Sequence, residues 1–244
     1  MCRKLVKETD RQLPVTPTFL HVNCYKEISE GVFFCRCQFD ATKINLDFAE
    51  KENIDIPSSI WRSVKKRQSE FIAGRYMAKL CLESLSIFDY DVAIGSNREP
   101  VWPEEIQGSI SHTASQAGAI VTKLKKYRFV GLDIEELCSP HIAKQVRWDI
   151  HNKQEFALFF KLGFSTEMIT TIIFSAKESL FKATFPYIRQ YFGFECARVI
   201  DVSTFQQSLT LKLDVSHLHD DSIQDTFTCR YFIGTSSVTT IILE

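Results

Sequence analysis

The sequence predicts a mixed α/β (α+β) fold whose elements follow the order strands, helix, strands, helices, strands. Residues 60–85 contain no glycine or proline except Gly74, which is typical of a long helix. After Ser165, apolar side chains recur at helical spacing, which predicts a second long helix. Short runs beyond Gly193, such as residues 208–213, alternate polar and apolar side chains and indicate antiparallel strands.

The composition is that of a folded globular protein. The chain has 244 residues, of which 45% are hydrophobic, and this length suits one large domain or two small ones. Lys and Arg total 29 against 30 Asp and Glu, so the net charge of −1 argues against a nucleic-acid partner. Residues 1–10 lack an apolar targeting segment, and no run reaches the roughly 18 apolar residues of a membrane span. We therefore expect a cytoplasmic monomer without a membrane span.

Eight cysteines are spread along the chain without a CxxC pair or zinc-ligand spacing. This pattern predicts reduced thiols, most of them buried as small apolar side chains. The cysteines are at positions 2, 24, 35, 37, 81, 138, 196 and 229.

In the N-terminal part, residues 1–57 mix short apolar runs with turn formers and predict short strands and loops. Ser58 or Ser59 is the expected N-cap of the helix that extends to Leu85. Gly74 within this helix would allow another part of the backbone or a ligand to approach closely.

The middle of the chain predicts three strands. Residues 95–103 are rich in turn formers, and strand character returns at residues 108–112. Residues 118–122 and 127–135 then predict the two strands of a β-hairpin, with the basic residues 123–126 at its solvated tip.

The C-terminal part predicts two helices followed by strands. Residues 140–162 indicate a helix that ends at Gly163. Ser165 or Thr166 begins the next helix, and Pro186 is expected to follow its end.

Two acidic residues lie at alternate positions of one predicted strand. In the segment 130–135, alternation sends Asp133 and Glu135 to one face and their apolar neighbours to the other. Carboxylates this close repel each other unless a cation or a basic group lies between them, and Mg²⁺ is a common solution. The alternative is a solvated strand end with ordinary surface acids.

The helix after Ser165 separates an apolar stripe from a polar face that contains Ser175, Glu178 and Lys182. Glu178 and Lys182 could be a solvent-exposed i,i+4 pair, which is common and stabilises a helix only slightly. If this face is turned toward Asp133 and Glu135, Glu178 completes a three-carboxylate metal site, and Lys182 supplies a charge or a proton. The stripe consists of Ile169, Ile172, Ile173, Ala176, Leu180 and Ala183.

Other side chains are typical of phosphate binding. Ser111 and His112 at the end of a predicted strand, Arg98 in the preceding loop, and Arg67 and Arg75 on the first helix are candidates. Ser111 and His112 could equally be a capped strand end or a satisfied core histidine, and Arg67 and Arg75 could lie on a solvated helix face. No nucleophile elbow, Walker A loop or Gly-x-Gly-x-x-Gly loop is present, so hydrolase-triad, ATP and NAD functions lose their main support.

Taken together, four segments resemble the 4′-phosphopantetheinyl transferase family, and within it the siderophore-associated branch. Their order and spacing fit the family along residues 65–184. The segments are RQSEFIAGR (67–75), REPVWP (98–103) with GSISH (108–112), VGLDIE (130–135) and FSAKESLFKA (174–183).

The resemblance implies two similar halves, each with a small antiparallel sheet and a long helix. Residues 1–123 would form an N-terminal half that contacts the nucleotide of coenzyme A. Residues 124–244 would form a C-terminal half that carries the metal ligands and the catalytic helix. It also implies a Mg²⁺-dependent enzyme that transfers the phosphopantetheine arm of coenzyme A to a serine of an apo aryl or peptidyl carrier domain. An enterobactin-like siderophore pathway is the expected setting.

The resemblance further assigns roles to residues. It implies that Asp133, Glu135 and Glu178 hold Mg²⁺, that Glu178 helps to deprotonate the incoming serine, and that Lys182 stabilises or protonates the leaving phosphate. Residues expected at the phosphates of coenzyme A are Arg67, Arg75, Arg98, Ser111, His112, Lys177 and Lys182.

Two positions depart from the family pattern. Distant members often have a basic residue immediately before the proline of the 98–103 segment, where this chain has Glu99 and places Arg98 one residue earlier. Many relatives have tryptophan where Phe174 stands. The alternatives to a transferase are a Mg²⁺-dependent phosphohydrolase or nuclease, and a coenzyme A-binding module without turnover.

Overall fold

The computed structural model describes residues 18–216 and 223–244. These residues divide into two compact units, one ending at Arg128 and the other comprising Phe129–Glu244. Residues 1–10, Cys2, Pro14 and Pro17, which enter the sequence-based predictions, lie outside the described residues.

The first unit is a four-stranded antiparallel sheet with one long helix. The sheet has the strand order β1-β2-β4-β3. Its strands are β1 (Leu20–Ser29), β2 (Val32–Phe39), β3 (Ile106–His112) and β4 (Gln116–Lys123), and its helices are α1 (Asp47–Lys51), α2 (Ser58–Trp61) and α3 (Lys65–Ser84), with a 3₁₀ turn at Ala41–Lys43.

Helix α3 packs against strands β2 and β4 and forms the core of this unit. The side chains of Phe71, Ala78 and Leu82, which recur at helical spacing, are all buried. Gly74 faces strand β3, where a Cβ atom would lie 2.9 Å from Cγ2 of Ile110. The close neighbour of this glycine is thus a side chain, whereas the sequence predicted an approach by backbone or a ligand.

The second unit is a five-stranded antiparallel sheet with three helices. The strand order is β5-β9-β8-β7-β6. Its strands are β5 (Val130–Glu136), β6 (Ala197–Ser203), β7 (Ser208–Leu213), β8 (Thr226–Ile233) and β9 (Ser237–Leu243), and its helices are α4 (Pro140–Ile150), α5 (Lys153–Phe160) and α6 (Thr166–Ile188), with a 3₁₀ turn at Phe194–Cys196.

Helix α6 begins as the sequence predicts. The Ser165 side chain accepts a hydrogen bond from the backbone N–H of Met168, and Glu167 lies in the first turn. All six residues of the predicted apolar stripe are at most 1% exposed, so the stripe forms the core. The helix packs directly on β5, where a Cβ atom at Gly131 would overlap the carbonyl oxygen of Ser179.

The mixed α/β fold and the antiparallel sheets are therefore confirmed. Of the strands and loops predicted for residues 1–57, the described part contains β1 and β2 but also the helix α1 and a 3₁₀ turn, which were not predicted. The β-hairpin predicted at 118–135 is wrong, because β4 pairs with β2 and β3 whereas β5 pairs with β9. The basic residues 123–126 thus connect two different sheets. Period-two alternation identifies a strand but does not determine its partner.

Three helix boundaries also differ from the prediction. The helix expected at 58–85 breaks at residues 62–64, and Pro57, not a serine, is the N-cap of α2. The helix expected at 140–162 is divided at His151 and Asn152, and Asn152 caps α5 through a capping box with Glu155. Pro186 lies within the last turn of α6, which ends at Arg189 in the left-handed conformation.

Seven cysteines lie in the part of the chain that the structure describes, and all seven are free. Cys35, Cys37, Cys81 and Cys229 are buried. None of the helices in residues 18–216 and 223–244 combines the length and the apolar character needed to cross a membrane.

Candidate functional site

The predicted carboxylates of the second unit lie where α6 packs on β5. Asp133 is 2% exposed, and Glu135 and Glu178 are half-buried. Lys182 Nζ donates hydrogen bonds to Asp133 Oδ1 at 2.7 Å and to the carbonyl oxygen of Leu132 at 3.2 Å. The polar face of α6 is thus turned toward β5, which is the arrangement that the sequence left conditional.

The charges of these groups influence one another. Burial, reinforced by the negative charges of Asp133 and Glu178, raises the pKa of Glu135 to about 8, and Lys182 partly offsets this rise. Burial is also the main reason that the pKa of Glu178 is raised, while Lys182 opposes the shift and Asp133 adds to it. Three carboxylates and one ammonium therefore form a single electrostatic group, which we call the carboxylate cluster.

The donors of the carboxylate cluster are compatible with a hard divalent cation. Within residues 18–216 and 223–244, no three His, Cys, Asp or Glu side chains lie close enough together to hold a metal ion as a group. Mg²⁺, however, is usually held by one or two carboxylates, with waters and substrate phosphates as the other ligands. Carboxylates that are partly desolvated and repel one another gain stability from such a cation. The oxygen donors of Asp133, Glu135 and Glu178 fit this chemistry.

Lys177 and Ser175 are both buried, which the sequence did not predict. The Lys177 ammonium is buried and contacts Glu155 Oε1 at 2.9 Å, the carbonyl oxygen of Ile150 at 2.8 Å and that of Phe194 at 3.0 Å. Its three protons face protein oxygens, which is at odds with a phosphate-binding role. Ser175 is fully buried against Thr240 and does not belong to an open polar face.

A cavity of about 350 Å³ adjoins Glu178 in the second unit. Its wall is largely aromatic and includes Phe181, Tyr191, Phe192 and Phe194. Phe181 stacks on Tyr191 with ring centroids 5.5 Å apart. The cluster thus adjoins an apolar cavity that could accept an uncharged chain.

In the first unit, Arg67 and His112 meet at one carboxylate. Arg67 Nη1 lies 3.0 Å from His112 Nε2 and 3.4 Å from Glu70 Oε2. His112 Nδ1 lies 3.8 Å from the same Glu70 oxygen. Arg67 remains 43% exposed at its side chain. This group presents positive charge and N–H donors, which suits an anionic ligand.

Arg75 is buried beside this group. Its guanidinium lies over the ring of Phe71, 4.7 Å from the centroid, and Nη2 donates to the carbonyl oxygen of Ala93 at 3.4 Å. Burial lowers the pKa of Arg75 to about 10, although Asp91 opposes this effect. A guanidinium remains charged at neutral pH under these conditions.

The two remaining candidates of the first unit differ in exposure. Ser111 is buried on strand β3, whereas Arg98 is exposed in the preceding loop. Arg98 has a positive φ of 69°, and its backbone N–H donates to the carbonyl oxygen of Gly95 at 3.0 Å. The carboxylate of Glu99, the departure from the family pattern, accepts a hydrogen bond from the backbone of Asn97 and thus holds this turn.

Two family models match this chain. One describes the 4′-phosphopantetheinyl transferase N-terminal domain and matches residues 57–122. The other describes the 4′-phosphopantetheinyl transferase superfamily and matches residues 129–235. The chain belongs to the 4′-phosphopantetheinyl transferase family. The resemblance carried by the four sequence segments is thereby confirmed.

Individual members of the 4′-phosphopantetheinyl transferase family are similar to the chain over about 140 residues. Enterobactin synthase component D of Escherichia coli K12 is 34% identical over 140 residues, which are 57% of this chain and 66% of that protein. The 4′-phosphopantetheinyl transferase PptT of Mycobacterium tuberculosis H37Rv is 34% identical over 142 residues, or 57% of this chain and 61% of PptT. The 4′-phosphopantetheinyl transferase Npt of Nocardia iowensis is 30% identical over 142 residues, 57% of this chain and 62% of Npt. Each match spans less than two thirds of the relative's length.

Three residues of the chain contact the predicted groups but were not predicted to do so. Glu70 contacts Arg67 and His112, and its i,i+3 spacing from Arg67 was a signal in the sequence. Glu155 contacts Lys177, and Thr240 contacts Ser175. These two pairs are distant along the chain, so only the fold identifies them.

Proposed function

We propose that this protein transfers the phosphopantetheine arm of coenzyme A to a serine of an apo carrier domain and thus acts as a holo-[carrier protein] synthase. The main support is the carboxylate cluster, in which Asp133, Glu135 and Glu178 lie within range of the Lys182 ammonium. The family to which the chain belongs and the names of its relatives support the same reaction.

In the proposed reaction, the serine hydroxyl attacks the phosphorus that carries the pantetheine arm. A new P–O bond forms as the bond to the bridging oxygen of the pyrophosphate breaks, and adenosine 3′,5′-bisphosphate leaves. The serine loses its proton, and negative charge develops on the leaving phosphate. The protein therefore has to orient the two reactants, accept a proton and stabilise the leaving group.

We assign the metal-binding role to Asp133, Glu135 and Glu178. When bound, Mg²⁺ would neutralise charge on the pyrophosphate and on the leaving group. The burial of Asp133 keeps its carboxylate in place, and its contact with Lys182 holds the α6 side of the cluster. This assignment rests on oxygen donors, partial burial and mutual repulsion.

We assign proton transfer to Glu178 and Lys182 on α6. Glu178, directly or through a water molecule, accepts the proton of the incoming serine, and its raised pKa makes it a stronger base than an exposed glutamate. Lys182 stabilises or protonates the leaving phosphate, and its side chain is 27% exposed and accessible to a ligand. The apolar cavity beside Glu178 suits the uncharged part of the pantetheine arm.

The basic residues of the first unit are proposed to bind the phosphates of coenzyme A. Arg67 and His112 offer N–H donors around Glu70, and Arg98 adds an exposed guanidinium. Ser111 and the buried Arg75 complete this set. Lys177 is left out because its ammonium protons face Glu155 and two backbone carbonyls.

The substrate and setting are proposed from the relatives. Enterobactin synthase component D is among the proteins similar to this chain, which favours aryl or peptidyl carrier domains of a nonribosomal siderophore pathway. Coenzyme A would be the co-substrate, and the cytoplasm, where carrier domains and coenzyme A meet, would be the compartment.

The test is intact-mass analysis of an apo carrier domain incubated with the protein, coenzyme A and Mg²⁺. We expect the carrier to gain one phosphopantetheine arm, and the gain to disappear with excess chelator. A carrier whose acceptor serine is replaced by alanine is the matched control. Coenzyme A binding without any transfer to several carriers would instead indicate a binding module. Release of inorganic phosphate or cleavage of nucleic acid would indicate a phosphohydrolase or nuclease.

A further inference from the structure

Thr240 lies directly opposite Asp133 across the β5–β9 pair and is fully buried. Residues directly opposite each other in an antiparallel pair place their side chains on the same face of the sheet. On this face Asp133 contacts Lys182 of α6, and Thr240 contacts Ser175 and Ser179 of the same helix. Thr240 therefore connects the helix to the strand beside the one that carries Asp133.

The contacts use the full capacity of the threonine hydroxyl. Thr240 Oγ1 donates to the carbonyl oxygen of Ser175 at 2.8 Å. It also lies 2.9 Å from Ser175 Oγ and 2.7 Å from Ser179 Oγ. A hydroxyl has one proton to donate and two lone pairs to accept hydrogen bonds, so Thr240 can donate to the Ser175 carbonyl oxygen and accept from Ser175 Oγ. The single proton of Ser179 Oγ is shared between Thr240 Oγ1 and the Thr240 carbonyl oxygen, which lies 3.0 Å away. Valine fills a similar volume but supports none of the Oγ1 contacts.

The two serines share one face of α6 with the reactive residues. Glu178 and Ser179 lie three and four residues after Ser175, and Lys182 lies seven after it, which is the spacing of one helical face. Hydrogen bonds to Ser175 and Ser179 therefore fix the rotation of α6 about its own axis. They also fix the position of the helix along the direction of strand β9. Gly131 allows the approach, because its missing side chain leaves room for the Ser179 carbonyl.

We propose that Thr240 is a positioning residue that holds Glu178 and Lys182 in register with Asp133 and Glu135. The proposal rests on the proposed function, because the cluster matters as a metal-binding and proton-transfer group. A hydroxyl that only stabilised the core would contribute to folding but not to the affinity of the cluster for a cation. The two roles are separable by experiment.

The experiment compares Thr240→Val with Thr240→Ser in the full chain. Mn²⁺ affinity, measured by electron paramagnetic resonance without coenzyme A or carrier, reports on the cluster independently of activity. We expect Thr240→Val to weaken Mn²⁺ binding about 10–100-fold, the range found when a group that orients metal ligands is removed. Thr240→Ser keeps the hydroxyl and should stay close to the wild type. Transfer to the carrier should fall with the same ranking.

The matched control is Thr184→Val. Thr184 is also fully buried, but its hydroxyl donates to the carbonyl oxygen of Leu180 within α6 and does not reach β9. We expect this variant to lose stability without losing Mn²⁺ affinity. Equal Mn²⁺ affinities for Thr240→Val and Thr184→Val would overturn the proposal, as would a Thr240→Ser variant as weak as Thr240→Val.

A second variant covers the case in which Thr240→Val does not fold. Ser179→Ala removes one hydroxyl partner of Thr240 and leaves the threonine in place, so we expect a smaller but clear loss of Mn²⁺ affinity. An unchanged affinity in the folded Ser179→Ala protein would also overturn the proposal. A wild type that binds Mn²⁺ but labels no carrier would refute the proposed function alone, and one that binds no Mn²⁺ even when coenzyme A is added would refute both.

Discussion

The ammonium of Lys177 lies 2.9 Å from Oε1 of Glu155, and both side chains are only 3% exposed. The same carboxylate accepts hydrogen bonds from the backbone N–H groups of Asn152 and Val199, both at 2.9 Å. Glu155 therefore links α5, α6 and β6. Since Lys177 immediately precedes Glu178, this buried pair also anchors the part of α6 that carries the cluster.

Replacing Lys177 with methionine should strongly destabilise the protein. The variant leaves the Glu155 carboxylate buried without its counter-charge, and breaking a buried pair from one side typically costs about 3–5 kcal/mol. Urea denaturation followed by circular dichroism measures the loss. The control is Lys212→Met, which removes one partner of a half-exposed pair with Asp225 and should cost under about 1 kcal/mol. Equal losses in the two variants would contradict the prediction.

Local patterns in the sequence identified most elements of the fold. The apolar stripe of α6, the Ser165 cap and the alternation in β5 all follow from neighbouring residues, and the structure confirms each. Asp133 could be placed on one face of β5, and Glu178 and Lys182 on one face of α6, because strands and helices each repeat at a fixed period. What the sequence left open was whether the two faces meet, and packing of α6 on β5 answers this.

Two of the incorrect predictions concern contacts between distant residues. The β5–β9 pair joins segments more than 100 residues apart, so the adjacent strands at 118–135 appeared to be partners. Lys177 resembles an exposed helix lysine because nothing local indicates that Glu155 faces it.

Pro186 was expected to follow the end of α6. A proline in the last turn disturbs few hydrogen bonds, however, and the helix continues to Ile188.

Gly131→Ala should separate α6 from β5. The added methyl group would overlap the backbone carbonyl of Ser179, and it would also lie 3.0 Å from Cβ of Ala183. Backbone cannot yield as a flexible side chain does, so we expect a loss of about 1–3 kcal/mol in unfolding free energy and a loss of carrier labelling. Gly234→Ala is the control, because its nearest neighbour would be 3.2 Å away. Retention of full activity in Gly131→Ala would be inconsistent with this close packing.

His151 should make the protein sensitive to mild acid. Burial lowers the pKa of His151, with Lys177 and Arg147 acting in the same direction against Glu155. The unfolded chain then binds a proton near pH 6.5 that the folded protein resists, so stability falls as the pH drops through about 6.5. His151→Gln should flatten the decrease in unfolding free energy between about pH 7 and pH 5. His141→Gln, at an exposed position, should leave the decrease unchanged.

Glu70→Gln should weaken coenzyme A binding. The Glu70 carboxylate faces both Arg67 and His112, and the neutral amide would hold them less firmly. We expect about a tenfold higher Kd, which corresponds to 1.4 kcal/mol and to the loss of one hydrogen bond to a charged group. Isothermal titration calorimetry in the presence of chelator measures this step without Mg²⁺. Glu83→Gln, near the other end of α3, should bind normally, and the same Kd for all three proteins would exclude the role of Glu70.

Glu178→Ala should abolish transfer and leave the fold intact. The side chain lies outside the buried stripe of α6, so its removal creates no cavity in the core. Its removal also relieves the burial of a carboxylate, which is the main cause of the raised pKa of Glu178 and outweighs the lost attraction to Lys182, so the unfolding free energy should not fall. The loss of a group that accepts a proton typically lowers a rate by about 10²–10⁴-fold, and the loss of a metal ligand adds to this. Carrier labelling measured by intact mass reports the loss of transfer, and thermal unfolding reports the stability of the fold. Glu167→Ala, in the half-buried first turn of the same helix, is the matched control and should label the carrier at the wild-type rate. A Glu178→Ala protein that transfers normally would remove Glu178 from both the metal-binding and the proton-transfer assignments.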